Sequence, residues 1–218
     1  MSPRLSHILI ALSGILGTIM LGLYFGIGFS IGLAQLPPSV SMTQELNVAT
    51  QYHNLWFLGT WLQATGSLLS VIFFLALVQR AGATTRLAGL LTILGSAVLL
   101  SVVLLEGVFT LGLAVAAVNG QQTASLTYFV IMTVFTYLYP IVPAPVIFLA
   151  LGTILLESKL LPRFFGSSAF ILGILFAVVG LVGLFTTSLL TIVVLSLQAL
   201  WVLAAGITFL GRGGDGGR

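Results

Sequence analysis

The chain has very little charge. Of its 218 residues seven are Lys or Arg and four are Asp or Glu, 5% together, against 59% hydrophobic. An average soluble domain has about a quarter of its residues charged. So few charged groups cannot clothe a globule of this size in water, so the apolar side chains must face lipid, and the chain reads as an integral membrane protein. Cysteine is absent altogether. That excludes disulfide frameworks, thiolate metal sites, Cys nucleophiles and redox pairs, and leaves the compartment unreadable from this residue. Only His7 and His53 offer imidazole. One lies near the start of the chain and the other at the boundary of an apolar run on the opposite side, so neither a two-His haem nor a metal site is expected. There is no HExxH, GxSxG, phosphate loop or close carboxylate pair, so no catalytic residue and no cofactor are assigned. The net charge of +3 sits in short connections, where it reports topology and offers nucleic acid no surface.

What is present is apolar sequence in long stretches, at about 5–36, 54–79, 87–118, 126–156, 164–185 and 189–210. Each exceeds the roughly 20 helical residues that a bilayer core requires. They are continuous Leu, Val, Ile, Phe and Ala with Gly, not the alternating pattern of a barrel strand. The expected fold is all-α: a polytopic bundle of six transmembrane helices forming a single domain over 1–210, followed by a flexible Gly-rich tail at 211–218. A secretory signal peptide is the competing reading of the first run, since Gly32-Leu33-Ala34 offers small residues. At more than 25 residues that run is too long for a signal h-region of about 7–15 and reads as a retained helix.

All seven cations fall on one side of this pattern: Arg4, Arg80, Arg86, Lys159, Arg163, Arg212 and Arg218. The connections at 37–53, 119–125 and 186–188 have none. By the positive-inside rule both termini are expected in the cytoplasm, with the cation-free connections outside. In the first of those, Pro37-Pro38 stops a helix, and Ser41 with Gln44 three residues on forms a capping-box pattern. Met42, Leu46, Ala49, His53 and Trp56 then share one helical face, which predicts a short helix at the outer interface or a projecting first turn of the second span. Arg86-Leu-Ala-Gly89 and Arg163-Phe-Phe-Gly166 echo one another, but this is also how an ordinary helix starts at a lipid boundary.

Glu106 is the sharpest feature. It lies inside the third run, and a carboxylate in lipid costs several kcal/mol, so it takes up a proton, is hydrated or meets a bound cation. Thr92, Gly95, Leu99, Glu106, Thr110 and Ala117 form one small and polar stripe. The second run offers Gly59, Gln63, Ser67 and Ser70, and the first offers Ser13, Gly17, Tyr24 and Gly28. Counted from the outer ends, Tyr24, Gln63, Glu106, Tyr137 and Gln198 all lie about 12–18 Å deep at 1.5 Å per residue. A ligand pocket would have this composition, and so would hydrogen bonding between packed helices.

Pro140, Pro143 and Pro145 interrupt the fourth run and require it to kink or unwind, which could line a site or only bend the helix. Glu45 and His53, two turns apart, could guard an outer mouth; an interfacial His is the plainer reading. Gly22-xxx-Gly26 and Gly28-xxx-Gly32 allow close helix contact, within the protein or across a homo-oligomer.

The order from Ala76-Leu-Val-Gln-Arg80 through Arg86-Leu-Ala-Gly-Leu to Leu105-Glu106-Gly107, then Leu161-Pro162-Arg163-Phe-Phe-Gly166, resembles a family of small bacterial six-helix membrane proteins of unknown function. The resemblance implies a prokaryotic inner (plasma) membrane and supplies no activity or functional residues; the connection from Pro37 to His53 does not match it. The functional expectation is binding or transport of a small molecule or cation around Glu106. The alternative is a non-catalytic accessory or assembly subunit of a membrane complex.

Overall fold

The computed structural model describes residues 2–30, 42–183 and 189–212, with side chains for all of these except 3, 28–30, 42–46, 133, 135–141, 183 and 189–192. The helices are α1 (Pro3–Ser30), α2 (Met42–Gln51), α3 (His53–Arg80), α4 (Leu87–Val118), α5 (Gln122–Ile141), α6 (Pro143–Glu157), α7 (Arg163–Gly183) and α8 (Leu189–Arg212). No strand occurs among the described residues. Five stretches, within α1, α3, α4, α7 and α8, are long and apolar enough to cross a bilayer.

The fourth run is interrupted where its prolines predict. It is two helices, parted at Val142, whose φ of −117° and ψ of −67° lie off the helical pair of values. Pro143 and Pro145 explain the break, because neither can donate to the preceding turn. They also suit the new start. Of the four N–H groups that a helix start leaves without intrahelical partners, prolines at the first and third positions remove two.

The short helix expected between the first two spans is present as α2, and Tyr52 separates it from α3 instead of letting the two run on. Residues 31–36 of the first run, Pro37 to Ser41, Thr186 to Ser188 and the tail beyond Arg212 lie outside the described residues.

Neighbouring helices run antiparallel in an up-and-down order. α1 packs on α3 and α8, α3 on α4, α4 on α5 and α6, α6 on α7, and α7 on α8. Burial is inverted relative to a soluble protein. Along α1, Leu5, Leu9, Leu12, Leu16, Ile19 and Leu23 recur every three to four residues on the exposed side, while Ala11, Ser13 and Thr18 are buried. Large apolar side chains outside and small or polar ones inside suit a lipid solvent, in which close backbone approach and polar contacts hold helices together. A Cβ on Gly17 would come within 2.9 Å of the Gly66 carbonyl, and one on Gly152 within 2.7 Å of the Phe170 nitrogen. These glycines therefore set the α1–α3 and α6–α7 crossings.

The main core gathers around α6. The Phe148 ring lies 5.7 Å from Phe74, 5.8 Å from Phe176 and 5.6 Å from Trp201, tying α6 to α3, α7 and α8. This core belongs to the cationic end of the bundle. There Arg80 donates to Ser6 Oγ at 3.1 Å, Arg86 pairs with Glu157 at 3.1 Å, and His7 Nε2 donates to the Phe209 carbonyl at 2.6 Å. The opposite end has a smaller cluster of Ala49, Trp56, Leu113 and Ala114, flanked by Tyr128, Phe129 and Met132.

Candidate functional site

Helical periodicity turns Gln63 inward on α3 and Glu106 inward on α4, and the α3–α4 interface brings them together. Gln63 Nε2 donates to Glu106 Oε2 at 3.0 Å, with the residues 8% and 9% exposed. The helices are close at this level: a Cβ on Gly107 would lie 3.0 Å from Thr60 Cγ2. Both flanking threonines turn their hydroxyls back on their own helices, Thr60 to the Trp56 carbonyl at 2.9 Å and Thr110 to the Glu106 carbonyl at 2.8 Å. The carboxyl and the amide are thereby left to face each other.

Tyr24 joins from α1. Its ring covers Gly59, where an added Cβ would lie 3.5 Å from Cδ2. Gly59 lies one turn from Gln63 on α3, so residues of three helices gather at this level. Glu106 lies twelve residues from Val118, the last of α4, which is about 18 Å along the helix.

The remaining expected residues lie on other elements. Gln198 is half-buried on α8, which packs on α1 and α7. The side chain of Tyr137 lies outside the described residues. Contacts of Gly95 with Ile147 and of Gly112 with Tyr128 fix the antiparallel register of α4 against α6 and α5. In that register the backbone near residue 135 is about level with Glu106, and the break at Val142 lies about two turns nearer the cationic end. Pro143 and Pro145 are buried at the start of α6, and the ring of Pro140 lies outside the described residues. His53 opens α3, its Nδ1–H donating to the Thr50 carbonyl at 3.2 Å across the α2–α3 corner. The Glu45 side chain lies outside the described residues.

Sequence reasoning placed Trp56 only on an apolar face and passed over Thr60. Trp56 is 7% exposed, and its indole Nε1 is buried with no hydrogen-bond partner. Both residues share the Gln63 face, at seven and three residues before it, so the same helical spacing that found Gln63 also points to them.

Chemically, the cluster can exchange a proton at the carboxyl, accept a cation or hydrogen-bond donor there, and offer the phenol and amide as further partners. Among the described residues no three His, Asp or Glu side chains come together as a metal site would require. No family model, no curated protein and no solved structure matches the chain.

Proposed function

We propose that this is a multi-pass membrane protein that binds, and in the fuller reading transports, a small molecule or cation at the Glu106–Gln63–Tyr24 cluster. The observation that carries the reading is the buried hydrogen bond between Gln63 and Glu106, with the Tyr24 ring over Gly59 one turn away. An ionisable group inside a membrane helix is costly enough to mark a functional position by default. In this reading α5 and α6 together make a sixth crossing, and Gln198 and Tyr137 extend the polar layer. The cationic end is cytoplasmic with both termini, α2 lies at the outer interface, and the membrane is a prokaryotic plasma membrane.

A second reading rests on a different observation. Gly22 and Gly26 on α1 have nothing within 4 Å of where a Cβ would stand. An open small-residue face next to exposed Leu23 and Phe25 supports a role as an accessory or assembly subunit packed against another membrane helix.

The test is difference infrared spectroscopy of the carboxyl in reconstituted protein, titrated with protons, Na+ and K+, for the wild type and Glu106→Gln. Binding at the cluster gives a carboxyl response to pH or to a cation that the variant lacks. Identical spectra for the two proteins would remove the site and favour the accessory-subunit reading.

A further inference from the structure

The cationic end carries more positive charge than the protein itself neutralises. Arg4, Arg80, Arg86, Lys159, Arg163 and Arg212 are all exposed there. Glu157 is the one described carboxylate at that end, and it is taken by Arg86.

Three of these cations surround the turn between α6 and α7. Arg212, at the end of α8, donates through Nη1 to the carbonyls of Lys159 at 3.4 Å and Leu160 at 2.9 Å. Those bonds hold its guanidinium against the turn that bears the Lys159 ammonium, and Arg163 follows at the start of α7. An arginine has five N–H donors, so Nε and Nη2 keep theirs. The positive end of the α7 macrodipole falls at the same place.

Apolar surface begins immediately beside these charges. Phe164, next to Arg163, is 72% exposed, and Ile171, Ile174, Val178 and Leu181 continue the exposed stripe along α7 at helical spacing. A ligand that complements both features has a negatively charged head and a long apolar tail.

We infer that the α6–α7 turn, through Lys159, Arg163 and Arg212, holds the phosphate headgroup of an anionic phospholipid whose acyl chain lies along the Phe164–Leu181 face of α7. The charge argument selects an anion, and the adjoining stripe selects a lipid over a soluble phosphate. Nothing in it depends on Glu106.

Protein incorporated in vesicles of equal phosphatidylglycerol and phosphatidylcholine and released into neutral detergent should retain phosphatidylglycerol in native mass spectrometry. Each neutralisation, Lys159→Gln, Arg163→Gln or Arg212→Gln, should lower the preference for phosphatidylglycerol about fivefold, from the typical worth of one cation at an anionic surface. The double variant Arg86→Gln/Glu157→Gln, which removes an ion pair and leaves the net charge unchanged, should leave the preference within twofold. Lys159→Gln keeps the backbone carbonyl that Arg212 uses and so tests the charge without disturbing the turn. Equal losses for Arg86→Gln/Glu157→Gln and Lys159→Gln, no preference in the wild type, or displacement of the lipid by millimolar inorganic phosphate would each overturn the assignment.

Discussion

Replacing Glu106 and Gln63 by leucine, singly and together, measures what the central hydrogen bond contributes. The two side chains meet at 3.0 Å and are 8–9% exposed, so removing one takes a buried hydrogen-bond partner from the other. An orphaned buried polar group costs about 1–3 kcal/mol, whereas the direct bond between membrane helices averages about 0.6 and reaches about 1.7 kcal/mol. Gln63→Leu should therefore destabilise the bundle by about 2 kcal/mol. Glu106→Leu should cost about as much, because it takes the acceptor from the buried Gln63 amide. The double variant strands neither partner, so its loss should fall short of the sum by about 1–2 kcal/mol, the coupling expected for residues in one network. Glu106→Gln retains an acceptor for the Gln63 amide and should stay within about 0.5 kcal/mol of the wild type, since the bond it preserves is itself small. Reversible unfolding in mixed detergent micelles gives all four values. Additive single losses, to within about 0.3 kcal/mol, would show that the two side chains act independently and refute the pairing.

Three further outcomes follow from other parts of the fold. Gly17→Ala places a methyl 2.8 Å from Ser70 Oγ and 2.9 Å from the Gly66 carbonyl, an overpacked contact that should cost about 1–3 kcal/mol and lower Tm. Gly22→Ala meets open space and should leave Tm unchanged or raised; a loss of self-association or partner capture in that variant would favour the accessory-subunit reading. Reporter fusions after Gln79, Glu157 and Leu210 should report cytoplasm and one at Asn119 the outside, and a cytoplasmic signal at Asn119 would overturn the proposed orientation.

Much of the architecture was legible because lipid imposes a simple rule on sequence. Long apolar runs become helices, and the helical period turned Gln63 and Glu106 to inward faces without knowledge of any partner. The prolines announced a break in the fourth run for the same local reason. Lateral arrangement was not legible. Depth along the axis put Gln198 in one layer with Glu106, but depth says nothing of which helices are neighbours. That choice is made by contacts such as Gly206 with Ala11 and Ile15, which seat α8 on α1, and by Phe148 meeting rings from three helices. These are long-range matches of shape between residues whose types recur throughout the chain. Whether α2 stands apart from α3 was left open by the sequence, because the apolar face of His53 and Trp56 continues smoothly across Tyr52.

The brevity of α6 has a consequence for how the protein is made. Its fifteen residues reach about 22 Å, short of the roughly 30 Å hydrocarbon core. Ten of them are buried, so its side chains are committed to other helices more than to lipid. If it shares one crossing with α5, α6 is the half that gains least from lipid. Its place is fixed by α7, whose backbone it meets at Gly152 and Gly173. Synthesis must pass the end of α7 before the centre of the bundle can settle, which makes α6 the last part of the first six helices to become secure although it is nearest the core.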